Sequence, residues 1–316
     1  MSADSVEPIL LEQLKKLQDK YAVMGQDLSS YLDGLLYADY LTYWDYIHTD
    51  TLLSLQNPKT SFPDEQVFIM YHQITELYFK MILHETEQIA QNQQLDESFF
   101  LSRLGRINRY FKQLENSFDI MVDGMDKEQF LKYRMSLLPA SGFQSAQYRL
   151  IEISSTSLVN LMDEESRKQA KATDSIQQQM EKIYWRSGAT ELASGKKTLT
   201  LQQFEQKYLS TFCEYAEKFK HTNLYQIYVK HFQKCPQAEA IKTALRDYDV
   251  TANVKWRLAH LRSAGRYLQK SPEDIKATGG TNWQKYLPPR FQRIMFFPEL
   301  WNDEEKANWG RAAFER

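Results

Sequence analysis

Residues 65–92 read EQVFIMYHQITELYFKMILHETEQIAQN, and this stretch decides the fold class. Phe68, His72, Thr75, Phe79 and Ile82 recur at i, i+4, i+7, i+11 and i+14, which is the spacing of one face of an α-helix. Asp64 and Glu65 put negative charge on its first turn, where the helix dipole favours it. Working outward, the same kind of periodicity predicts helices over 8–24, 97–122, 126–136, 143–162, 201–234 and 236–270. NPKTSFPDEQ at 57–66 and PASG at 139–142 punctuate the pattern. Residues 163–200 are polar and charge-rich, then continue as WRSGATELASGKKTLT. They read as an excursion that extends to about 205. No strand-forming stretch is long enough to build a sheet. The expected architecture is all-α: a single helical-bundle domain over 1–316, with 1–60 as an N-terminal segment.

Composition narrows the function classes. Of 316 residues, 42% are hydrophobic and 25% charged, and the net charge is −2. Such a balance exerts no general pull toward nucleic acid or an anionic membrane. Eleven Gly and 9 Pro are too few for a many-turned β fold. Aromatic residues make up 13%, enough to fill a core or to hold a flat aromatic ligand. Cys213 and Cys235 lack metal-type spacing and read as reduced thiols of a cytosolic protein. The opening MSADSVEPILLEQLKKLQDKY is acidic and then amphipathic, unlike a signal peptide. No apolar run approaches the roughly 20 residues that span a bilayer. A soluble, cytoplasmic protein is expected.

Two of six histidines stand on apolar helix faces. His72 shares its face with Phe68, Thr75, Phe79 and Ile82. His260 lies in NVKWRLAHLRSAGRYL and shares a face with Trp256, Ala264 and Tyr267. Each is either a satisfied core histidine or a group that meets a ligand or metal. Small Ala264 and Gly265 leave space one turn beyond His260. That space suits close helix packing or a bulky planar group such as haem, against which Trp256 would also lie. His48, His84, His221 and His231 stand among polar neighbours and read as surface residues. Arg134, in QFLKYRMSLLPASGFQS, interrupts the apolar face of Phe130 and Leu137. A guanidinium there takes an internal carboxylate, solvent, or the carboxylate of a ligand. TGGT at 278–281 lets backbone N–H groups approach a ligand but lacks the setting of a phosphate loop.

Six segments occur in order: DTLLSLQNP, FIMYHQITELYFKMILHE, SLLPASGFQSAQYRLIE, KWRLAHLRSAGRYL, TGGT and FFPELW. Together they resemble the tryptophan 2,3-dioxygenase family over about residues 40–303. The patterns HQxxELxFKxILHE and PASGFQSxQYRxIE carry most of the specificity. The resemblance implies a haem enzyme that cleaves the indole C2–C3 bond of L-tryptophan with O2, giving N-formyl-L-kynurenine and opening the kynurenine pathway. It implies His260 as the proximal ligand of haem b (Fe2+ when active), with Ser141 close to the haem. It implies His72 as the distal histidine, accepting from the indole N–H. Arg134 and Thr278 are implied at the amino-acid end, and Phe68, Phe130 and Leu137 as walls around the indole. Tyr43, Tyr46 and Ile47 match a segment that reaches a neighbouring subunit, so a homotetramer built as a dimer of dimers is implied. Departures are a longer link through QKSPEDIK before Thr278, Phe130 where some bacterial members have Tyr, and Tyr78 where Trp is common. Two rivals use the same residues: a related haem enzyme acting on a modified indole by a mono- or peroxygenase route, and a haem-free helical scaffold.

Overall fold

A computed structural model describes residues 7–38, 41–137, 142–171, 173–190, 196–269 and 288–311. The described residues are helical with two isolated bridges, Met162 with Ile183 and Thr190 with Lys197, and contain no named strand. None of the described helices is long and apolar enough to cross a membrane. The chain divides into two compact units, Met1–Gln56 and Asn57–Arg316.

The first unit holds α1 (Pro8–Val23), α2 (Leu28–Leu36), α3 (Tyr43–Ile47) and α4 (Thr49–Leu53). Asp27 caps α2 by accepting from Ser29 N and Ser30 N, and Thr42 caps α3. His48 sits in the left-handed region at φ 52° and turns the chain between α3 and α4. None of this unit's described residues is buried, and Tyr43, Trp44 and Tyr46 are 72%, 58% and 72% exposed.

The second unit is built on α5 (Pro63–Gln91), which starts with Pro63 in the first turn, where a missing N–H costs nothing. Glu65 folds the preceding loop onto it by accepting from Lys59 N and Thr60 N, both at 2.7 Å. α5 packs against α6 (Glu97–Ser117) through Ile82, Phe100, Leu104, Ile107, Phe111 and Leu114, all at 0% exposure. Burying residues of this size stabilises by about 1.5–3 kcal/mol each. The helix expected over 97–122 breaks at Phe118, and α7 (Asp119–Asp123) follows. The helix expected over 126–136 is α8 (Lys127–Tyr133), which tightens into a 3-10 turn over Arg134–Leu137. Next comes α9 (Ala146–Ser155), capped by Ser145.

The excursion is three short helices: α10 (Glu164–Gln169), α11 (Ile176–Glu181) and α12 (Tyr184–Gly188). It is less peripheral than its polar composition suggests, because Met180, Ile183, Tyr184 and Trp185 are all buried. α13 (Leu199–Phe219) and the short α14 (Leu224–Ile227) lead to a continuous helical rod. That rod comprises α15 (Ala238–Val250), a π-helical turn at Thr251–Lys255 and α16 (Trp256–Leu268). Asp249, fully buried, ties the C-terminal segment to the rod. It accepts from Phe296 N (2.8 Å), Phe297 N (3.1 Å), Trp301 Nε1 (2.9 Å) and Asn253 Nδ2 (2.8 Å).

Candidate active site

α5 contributes His72 and α16 His260, and the two are built alike. His72 Nδ1 lies 2.7 Å from the Phe68 carbonyl oxygen, and His260 Nδ1 lies 2.9 Å from that of Trp256. A carbonyl only accepts, so Nδ1 donates in both rings. Nε2 of each neutral ring then keeps its lone pair. Burial pushes both pKa values down, His260 to about 4, and His260 also feels charge on His72 and Arg257. Both therefore stay neutral at pH 7. Yet the His72 ring is exposed and the His260 ring half-buried. A ring enclosed by protein but reached from outside lies in a recess, not on a convex surface.

Aromatic contacts connect the two rings. Phe118 lies 4.4 Å from His260, 5.0 Å from Trp256 and 5.8 Å from Tyr71, which is itself 6.3 Å from His72. Trp256 stands edge-on to His260 at 4.5 Å. On the other side of His72, Phe68 packs at 4.1 Å and meets Tyr133 at 6.0 Å and Phe130 at 6.3 Å. Phe130 is held between Tyr133 (5.6 Å) and Tyr267 (4.6 Å). Both tyrosines donate to Met125: Tyr133 to its Sδ at 3.4 Å and Tyr267 to its carbonyl at 3.2 Å. Ser263 donates to the Met121 carbonyl at 2.9 Å. The helix bearing His260 is thus tied to the segment that introduces Phe130.

Arg134, 5% exposed, opens the 3-10 turn after α8, and burial lowers its pKa. Its Nη1 points at Met135 Sδ, 3.6 Å away, and Leu137 is half-buried at the end of the turn. Phe68, His72, Phe130, Trp256 and His260 are thus linked by ring contacts, and Arg134 directly follows Tyr133 of the same cluster. Tyr43, Tyr46 and Ile47 belong to the other unit, where all three are exposed. Ser141 and Thr278 lie outside the described residues. Sequence reasoning missed Tyr71, Phe118, Met125 and Tyr133. Phe118 sits at the break between α6 and α7, where counting along one continuous helix gives the wrong face.

A family model for tryptophan 2,3-dioxygenase matches residues 34–182. The tryptophan 2,3-dioxygenase of Ruegeria sp. (strain TM1040) is 41% identical over 119 residues, spanning 37% of this chain and 42% of that protein. Those of Bradyrhizobium diazoefficiens and Bacillus thuringiensis subsp. konkukian are 28% and 29% identical over 274 and 282 residues. These matches span 83% and 84% of this chain and 91% and 92% of theirs. Along most of its length the chain is thus similar to tryptophan 2,3-dioxygenases.

This family implies haem, and the residues fit one. A lone imidazole lone pair suits an iron that brings its other ligands with it, as a porphyrin iron does. The bond from Nδ1–H to the Trp256 carbonyl is the kind that would fix such a ligand's tautomer and plane. A little over one turn on, no described residue comes within 4 Å of where a side chain on Gly265 would begin. Among the described residues, no cluster of three or more His, Cys, Asp or Glu is placed to hold a bare ion.

Proposed function

We propose that this chain cleaves the indole C2–C3 bond of L-tryptophan with O2 to give N-formyl-L-kynurenine, using ferrous haem b held by His260 Nε2. One observation carries the reading: two neutral imidazoles, each with Nδ1 engaged and Nε2 free, joined through Tyr71 and Phe118. Haem, when bound, supplies the electron exchange that closed-shell tryptophan and triplet O2 lack.

The chain's own residues bind, orient and exclude water. His72 Nε2 accepts from the indole N–H, which fixes the rotation of the ring. Indole N–H is a very weak acid, so orientation is the role assigned to His72. Phe68, Phe130 and Leu137 wall the ring. Arg134 takes the carboxylate, and its desolvated guanidinium favours an anion there. That charge-assisted bond is worth on the order of 1.5–3 kcal/mol, or about 10- to 150-fold in affinity over tryptamine. By resemblance, Thr278 also sits at the amino-acid end and Ser141 near the haem. Tyr43, Tyr46 and Ile47 would complete the pocket of a neighbouring subunit in a homotetramer. Their exposure on a unit with no buried described residue supports that reading. Free Cys213 and Cys235 are consistent with the reducing cytoplasm.

The test is anaerobic reduction of haem-loaded protein, then addition of O2 and L-tryptophan with the product mass measured. Gain of two oxygen atoms is expected. Gain of one supports a monooxygenase route, and no Soret band after haem reconstitution refutes the assignment.

A further inference from the structure

The stretch PASGFQSAQYRLIE holds two residues that the recess itself does not use, Gln147 and Tyr148. They stand in the first turn of α9, the helix that packs against α5. Successive residues of an α-helix point about 100° apart, so this pair reaches two different neighbours. Gln147 Nε2 donates to the Glu76 carbonyl at 2.8 Å and to Glu76 Oε2 at 2.9 Å. Glu76 lies on α5, one turn after His72. Tyr148 is buried and donates to the Ala252 carbonyl at 3.3 Å. Ala252 lies in the π-helical turn, one turn before Trp256, whose carbonyl accepts from His260 Nδ1.

Rings fill the space between these bonds. Phe79 of α5 lies 5.4 Å from Tyr148 and stands edge-on to Trp256 at 6.2 Å. Apolar burial is non-directional, so by itself it does not fix the roll of one helix against another. A hydrogen bond is directional. Here both bonds end on backbone carbonyls, so they grip the helices themselves rather than side chains that can change rotamer. One end is on the helix of His72, and the other is on the rod just ahead of His260.

We propose that Gln147 and Tyr148 are positioning residues, a two-ended bridge that fixes the helix carrying His72 against the helix carrying His260. The inference rests on the reading in which those two histidines serve one reaction. A shift of about an ångström between groups that hold reacting partners can cost on the order of a hundredfold in rate, so the bridge governs turnover more than binding.

The experiment compares the haem-loaded full chain with its Gln147→Leu, Tyr148→Phe and double variants. Tyr148→Phe keeps the ring against Phe79 and loses only the hydroxyl. Each single variant is expected to lower kcat about tenfold and to leave KM for tryptophan within about twofold, because Arg134 and the ring walls are untouched. Breaking either end frees the bridge, so the double variant should fall no further than the worse single one, where independent defects would multiply. A readout without turnover is resonance Raman of the ferrous, O2-free protein. Its iron–histidine stretching band reports the tilt of the His260 ring and should be displaced or broadened in Tyr148→Phe. Asn108→Leu is the control, since Asn108 Nδ2 donates to the Ala244 carbonyl of the rod at 2.9 Å, ahead of the π-helical turn. It should lower Tm and leave kcat, KM and the band at wild-type values. Should Tyr148→Phe fail to fold, Gln147→Leu against Asn108→Leu decides by kcat. Multiplying losses in the double variant, or single variants that lower Tm with kcat and the band unmoved, overturn this inference alone. A wild-type chain that takes up no haem overturns the haem reading and this inference together.

Discussion

Replacing His72 with Ala tests the tautomer argument at the atom where it matters. The 2.7 Å contact from Nδ1 to the Phe68 carbonyl commits the neutral ring to offering Nε2 as an acceptor. One neutral hydrogen bond is worth about 0.5–1.5 kcal/mol net, so His72→Ala should weaken tryptophan binding through that bond by about 2- to 12-fold. The same substitution also removes the ring packed 4.1 Å from Phe68, which costs affinity for any indole. The two losses separate in a double-mutant cycle with 1-methyltryptophan, which has no N–H to donate. Equilibrium titration of haem-loaded wild type and His72→Ala with both ligands gives the coupling directly, with about 0.5–1.5 kcal/mol expected. The pH dependence adds a second arm. Burial holds the His72 pKa below its usual 6.5, so the acceptor survives there and is lost only as pH falls through the lower, folded-state value. Tryptophan affinity should stay flat from pH 8 through 6.5. Zero coupling, or half-loss of binding at pH 6.5, would refute the reasoning.

Arg134→Ala should raise KM for tryptophan about 10- to 150-fold with the Soret band unchanged, and an unaltered KM would place the carboxylate elsewhere. His260→Ala should lose stoichiometric haem while keeping its helical circular dichroism, and full retention with the wild-type spectrum would remove His260 as the ligand. Burial raises Asp249 to about 6 from 3.8. The stability its protonation contributes is therefore complete below pH 3.8 and is lost as pH rises through about 6. Relative to Asp249→Asn, which has no such group, the wild type's urea midpoint should fall between pH 4 and 7, and a constant difference would contradict the assigned burial.

The length of α5 was legible because its period holds over eight turns. His260 was legible because Trp256, Ala264 and Tyr267 all follow the π-helical turn, so their mutual spacing is purely α-helical. The breaks were hidden. Phe118 continues one apolar pattern and Leu137 another, past Arg134, and the chain leaves the α-helix at Phe118 and Arg134 without a Pro or Gly at either break to announce it. Residues 163–200 concealed Ile183, Tyr184 and Trp185 because helices of five or six residues are too short to show a period. The bonds of Gln147 to Glu76 and of Tyr148 to Ala252 join positions 71 and 104 apart in sequence, which no local pattern encodes.

The widened turn at Thr251–Lys255 is in effect one extra residue spliced into an otherwise regular rod. A residue advances an α-helix by about 100°. The splice therefore decouples the azimuth of the rod's two halves: one faces the carboxy-terminal strap through Asp249, the other faces the recess through His260. Deleting a single residue there would leave a continuous helix of ordinary pitch with its anchor intact and its imidazole swung a quarter-turn away. The sequence would then be nearly unchanged, and the haem of the proposed reading would have lost the imidazole offered to it.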